Sequence, residues 1–185
     1  MPVARALPLG RGLRVPVQVA DAREALTRIH PGMADLVVCD VFDGARTPAH
    51  LTSVEMLAEV QRVMAPGGVL AANVADGPGL AFARGQVATY RSVFAHVVAT
   101  GERAVLRGRR FGNLVIAASA APLPTVELGR RGSADPVPAR TVAGLELDRF
   151  VGGAAPVTDE KAVPSPVLPA DLFGGGGRRS RNLDG

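Results

Sequence analysis

Apolar and polar positions follow two rhythms between residues 13 and 120. Leu13-Arg-Val-Pro-Val-Gln-Val19 alternates in polarity, which predicts a strand. Pro16 has no N–H to donate, so this strand is expected at an edge or as an irregular one. After Asp21, a capping residue, the apolar positions Ala22, Ala25, Leu26 and Ile29 share one helical face, and Pro31-Gly32 stops the helix. Leu36-Val-Val-Cys39 is continuously apolar, the pattern of a strand buried on both faces of a parallel sheet. Thr52 or Ser53 caps a helix over Val54–Met64, with Glu55 near its positive end, and Pro66-Gly67-Gly68 ends it. Val69–Asn73 reads as another buried strand, Leu80–Phe94 as a helix, and His96–Thr100 and Asn113–Ala118 as strands divided by an arginine-rich turn. Strands alternating with helices through short loops predict an α/β domain, a mostly parallel sheet flanked by helices.

The pattern weakens beyond Ala121. The organisation expected is an N-terminal extension over 1–12, poorly ordered, then the α/β domain over 13–120. A C-terminal extension follows over 121–173 with one short amphipathic helix at Thr141–Phe150, and a disordered Gly/Arg tail over 174–185. No internal repeat is evident.

Composition narrows the function classes. The chain has 185 residues, 47% of them hydrophobic, enough for one core. No window approaches the ~18 apolar residues of a membrane span, and the N-terminus shows no cleavable hydrophobic run, so a cytoplasmic protein away from membranes is expected. The formal charge is +4, with arginine supplying the basic side save for Lys161. The arginines are dispersed, aromatics make up 4% and tryptophan is absent, which argues against a nucleic-acid partner. A single cysteine, Cys39, excludes an internal disulfide and a multi-thiolate metal site. With His30, His50 and His96 well separated, no metal is expected.

Candidate chemistry lies at the carboxyl ends of strands, where open parallel sheets bind ligands. Asp21 follows the first strand, Asp40 and Asp43 the second, Asn73 and Asp76 the third. A carboxylate there can accept from a ribose hydroxyl, an adenine amino group or a substrate amine. Asp40 and Asp43 on one loop could grip a protonated amine jointly, or one of them could accept a proton. Both are equally ordinary loop and cap residues on spacing alone. Cys39 reads as a packing thiol, His50 as a loop residue that could act as a second base near Asp40, and His96 as structural. Arg107, Arg109 and Arg110 either meet an anion or solvate a turn; the turn is favoured. Gly67-Gly68 reads as a turn requirement.

The ordered set Val19-Ala-Asp-Ala-Arg23, Ala34-Asp-Leu-Val-Val-Cys-Asp40, Thr47-Pro-Ala-His-Leu51 and Met64-Ala-Pro-Gly-Gly-Val69 resembles the polyamine aminopropyltransferases, spermidine synthase and its bacterial look-alikes. Arg107–Asn113 and Pro156-Val-Thr-Asp159 extend the resemblance, which runs from about 13 to 173. It implies the Rossmann-like fold of S-adenosylmethionine-dependent methyltransferases, and transfer of an aminopropyl group from decarboxylated S-adenosylmethionine to an amine such as putrescine. It further implies that Asp21 with Ala22 holds the adenine end of decarboxylated S-adenosylmethionine or S-adenosylmethionine. Asp40 would deprotonate the attacking amine, Asp43 would anchor the amine substrate, and no metal is required. Val41 and Phe42 stand where the family has small hydroxylic residues, and Asn73 where it has glutamine. The chain begins where the family's third strand begins, so a partial sheet lacking the first two strands and a truncated or inactive form are expected. The alternatives are a methyltransferase-like protein or a non-catalytic Rossmann-like binding or oligomerisation module. Apolar sheet edges left open would favour a homo-oligomer.

Overall fold

The computed structural model describes residues 5–9 and 13–167. The expected Gly/Arg tail over 174–185 lies outside them. Within the region expected to be an extension, β1 (Arg5–Leu9) pairs antiparallel with β2 (Leu13–Val17), a two-stranded ribbon apart from the main sheet. That is where a proline-bearing strand is tolerated. Asp21 then caps α1 (Ala22–Thr27).

The main sheet has five strands in the order β3 (Ala34–Cys39), β4 (Met64–Asp76), β6 (Gly112–Ser119), β5 (His96–Glu102), β7 (Ala139–Val142). Only β3 and β4 pair in parallel; β6 runs antiparallel to both β4 and β5, and β7 antiparallel to β5. The sheet is therefore more mixed than its periodicity suggests. The physical reason is β6, which enters between β4 and β5 in reverse, so that β3, β4 and β5 still point one way and their carboxyl ends share an edge.

Helices α2 (Val54–Val63) and α3 (Ala81–Val93) pack on each other and cover one face. Met56, Leu57 and Val60 from α2, and Ala83, Val87 and Tyr90 from α3, close over that face of the sheet. The sheet contributes pairs set by register: Leu70 opposite Ala118, Ala72 opposite Ile116, Val74 opposite Leu114, all buried. The opposite face differs from expectation. Leu36 and Val38 of β3 are 60% and 65% exposed, so this strand is not buried on both faces. Among the described residues β3 has β4 as its one neighbour, and no helix lies over these two side chains.

The helix α4 (Arg103–Leu106) follows β5, and α5 (Thr125–Ala134) leans on β7. The helix expected over Thr141–Phe150 begins later, as α6 (Gly144–Val151), because Thr141 and Val142 pair with Thr100 and Ala99. Residues 152–167 lack periodicity yet are tied down. Val157 O accepts from Val54 N (2.8 Å), Val157 N donates to Thr89 Oγ1 (2.9 Å), and Thr47 N donates to buried Ser165 Oγ (2.8 Å). Among the described residues no helix is long and apolar enough to cross a membrane.

Candidate functional site

The parallel pairing of β3 with β4 ends at Cys39 opposite Ala72, which leaves the next residues, Asp40 and Asn73, side by side at the shared carboxyl edge. Asn73 Nδ2 donates to Asp40 Oδ1 at 3.0 Å. Asp40 Oδ2 has no hydrogen-bond partner among the described residues. One oxygen is thus held in place while the other keeps its lone pairs, the arrangement a proton acceptor needs. Gly68 makes this pairing possible: a Cβ there would lie 2.8 Å from Ala34 O and 3.0 Å from Ala65 O. Gly67, at φ 78°, makes the turn into it.

Asp43 lies in a tight turn, its N–H donating to Arg46 O at 2.8 Å and its carbonyl accepting from Arg46 N at 3.2 Å. Its carboxylate makes no hydrogen bond among the described residues.

Asp21 works first as a helix cap. Its Oδ1 accepts from Arg23 N (2.9 Å) and Glu24 N (3.1 Å), and its Oδ2 bonds His50 Nε2 at 2.8 Å. The Glu24 N–H foremost, with His50 next, holds its carboxyl below the usual carboxylate range. His50, in the 3-10 turn Ala49–Leu51, therefore engages Asp21 and not Asp40. Ala22 opens α1 and packs, half-buried, against the core.

A second network adjoins Asp21. Arg23 Nη1 and Nη2 donate to Asp159 Oδ1 and Oδ2 at 2.8 and 2.7 Å, and Ser53 Oγ donates to Asp159 Oδ1. Asp159 N donates to Glu55 Oε2 at 2.9 Å. Arg23 first, then Ser53, bring the Asp159 carboxyl down to about 2. The sequence offers Ser53 as a cap of α2, where its Oγ accepts from Met56 N at 3.2 Å, but gives no role to Asp159 or Arg23. The available signal is the place of Asp159 in Pro156-Val-Thr-Asp159, and it names no partner.

Asp76 is a cap of a different kind. It is buried, and Oδ1 and Oδ2 accept from Gly77 N (2.7 Å) and Ala83 N (2.8 Å). With both oxygens committed, it serves the α3 N-terminus. Cys39 is half-buried; burial pushes its thiol up, with the Asp40 charge adding, which suits packing better than nucleophilic chemistry.

The structure thus brings together Asp40 with Asn73, and Asp21 with His50, with no hydrogen bond joining the two pairs among the described residues. A cavity of about 680 Å³ lies beside α3, lined by Arg46, Thr52, Asp76, Phe82 and Phe111 among others, and none of Asp21, Asp40 and Asp43 lines it.

Neither a protein-family model nor a curated protein matches the chain. Among solved structures, a probable spermidine synthase from Corynebacterium glutamicum ATCC 13032 is similar at 30% identity with a TM-score of 0.74, over 87% of this chain and 59% of its own. Human methyltransferase-like protein 13, in complex with SAH, is similar at 19% identity and a TM-score of 0.45, over 74% of this chain and 59% of its own. MNMC2 from Aquifex aeolicus follows at 18% and 0.39, over 78% and 45%. The chain therefore spans about three-fifths of the length of the first of these relatives. In fold, the chain is a spermidine synthase-like, Rossmann-like domain.

Proposed function

We propose that the chain carries the acceptor-amine side of an aminopropyltransferase-type site, with Asp40 as the proton acceptor. The observation behind this reading is the Asn73–Asp40 hydrogen bond where the parallel pairing of β3 with β4 ends, with Oδ2 left free. Only a neutral amine has a lone pair to donate, and amines are protonated near neutral pH, so the reaction needs a positioned carboxylate. Asn73 fixes the plane of that carboxylate. Asp43, on the same loop, adds a second negative charge for the far end of a diamine such as putrescine.

The donor partner in this reading is S-adenosylmethionine or its decarboxylated form. Asp21 fits it to a limited degree. A carboxylate offers about four lone-pair positions, and Arg23 N, Glu24 N and His50 take three of them. One remains for an adenine amino group, with Ala22 as the apolar neighbour. When bound, the sulfonium supplies an electrophilic carbon next to sulfur and departs as a neutral thioether. The chain's own work is to orient the amine and to hold its proton on Asp40 Oδ2.

Two measurements test this. Calorimetric titration with putrescine should show binding that Asp40→Asn and Asp43→Asn each weaken, whereas methylthioadenosine should bind weakly at best. In a transfer assay with decarboxylated S-adenosylmethionine and putrescine, Asp40→Asn should lower any turnover by about two to four powers of ten, the share of a positioned general base. Unchanged putrescine affinity in the double variant would overturn the assignment. Methylation of the acceptor in place of aminopropyl transfer would favour the methyltransferase-like alternative.

A further inference from the structure

Arg107 belongs to the arginine-rich turn that follows α4. Together with Arg84 on α3, Arg103 on α4, Arg140 on β7 and Arg149 on α6, it lines a pocket of about 300 Å³. Leu106, Val142 and Phe150 form its apolar lining, the last two buried. The pocket's one carboxylate, Glu146, is taken by Arg140, whose Nη2 lies 2.6 Å from Oε1. Arg84, Arg103, Arg107 and Arg149 have no ion-pair partner among the described residues, although eight ion pairs form among those residues outside this pocket. Arg84 Nε is buried and makes no hydrogen bond. A Cβ on Gly152 would lie 3.6 Å from Arg84 Nη1, so this guanidinium sits at the C-terminal end of α6. The partial negative charge there offsets a fraction of one positive charge.

Three helices and the turn after α4 therefore deliver four guanidinium groups to one concavity and leave them without an ion-pair partner. Like charges converging on an apolar surface repel one another, and a buried guanidinium N–H without a partner costs free energy. A multivalent anion relieves both. Planar guanidinium forks match phosphate oxygens in pairs, and a single carboxylate could neutralise one of the four. The volume lies at the lower limit of small-ligand pockets, about 300 Å³, enough for a diphosphate and too confined for a nucleic-acid strand.

We propose that this pocket is a binding site for a compact polyanion, a diphosphate group, either free or carried by a nucleotide. It is separate from Asp40 and does not rest on the amine-transfer reading. Calorimetry of the full chain at low ionic strength, with inorganic pyrophosphate, ADP and orthophosphate, tests it. Pyrophosphate should bind saturably, one per chain, and about tenfold more tightly than orthophosphate. ADP binding more tightly than pyrophosphate would assign the nucleotide as the source, and equal affinities the free diphosphate. Arg107→Gln and Arg149→Gln, both at exposed positions, should each weaken pyrophosphate binding about tenfold. Arg130→Gln with Arg131→Gln on α5, away from the pocket, should leave it unchanged. Absence of saturable heat with pyrophosphate and ADP, wild-type affinity in both pocket variants, or an equal loss in the α5 control would overturn the proposal.

Discussion

Single carboxylates in this chain do sharply different work, and what separates them is the number of lone pairs already taken. Asp76 spends both oxygens on backbone N–H groups, Asp21 has three bonds made, and Asp40 has one. Asp159 is bound most strongly, by the Arg23 fork and the Ser53 hydroxyl, so its carboxyl titrates at about 2 against an ordinary 3.8. A depressed folded-state value means that the group stabilises the fold above about 3.8 and that this contribution is lost as pH falls through about 2. The pair is partly exposed, so its share of stability is modest. Urea unfolding of Asp159→Asn should show a lower midpoint than wild type near neutral pH, with the two midpoints converging in acid. Parallel curves across that range would remove the Arg23 pair from the account of acid stability. All these aspartates can be seen in the sequence, but their bond counts cannot. Partners such as His50 for Asp21, or Arg23 for Asp159, come from 29 and 136 residues away.

At the scale of elements, α3 shows how a helix start can be built without a local cap. Its N-cap position is Leu80, in the left-handed region at φ 54° and without a side-chain acceptor. Asp76 compensates from the end of β4 by accepting from Ala83 N. Leu80 meanwhile is 1% exposed, so burial of its side chain holds a backbone conformation that costs a non-glycine residue roughly 1–2 kcal/mol. Asp76→Ala should cost about 1–3 kcal/mol, since it orphans a buried backbone donor. Chemical denaturation reads that loss directly, and a change within error would mean that another acceptor serves Ala83. The sequence pattern places α2, α3, β5 and β6 nearly at their observed bounds; α2 starts after its Ser53 cap and α3 just after the Gly79 turn. It misses α5, none of whose residues is buried, because a helix without an apolar face carries no period to read. β4 runs from Met64 to Asp76, far beyond Val69–Asn73, because Met64 pairs with Ala34 of β3 at one end and pairing with β6 continues to Gly112 at the other.

At the scale of the whole molecule, one sheet face is sealed by α2 and α3 while β3 presents Leu36 and Val38 to solvent at an edge strand. Val115 of β6, on that same open face by register, is 42% exposed. Apolar side chains beside unpaired strand hydrogen-bonding groups favour association. Multi-angle light scattering should find the chain as a dimer or larger species, and Leu36→Lys with Val38→Lys should shift it toward monomer without loss of the helical signal. A monomeric wild-type chain at high concentration would show that this face does not bind a second copy.

The amino-acid sequence by itself determined the α/β class, the order of its main strands and helices, and the placing of Asp40 just past a strand end, whereas Asn73 lies inside β4. These follow from local periodicity and turn chemistry, which act within a few residues. Tertiary structure decided the rest: the reversed insertion of β6, the Asn73–Asp40 bond, the capture of Asp21 by His50, and the convergence of five arginines on one pocket. Each depends on which elements become neighbours in space, a choice made by the burial of whole faces and carried by no single segment.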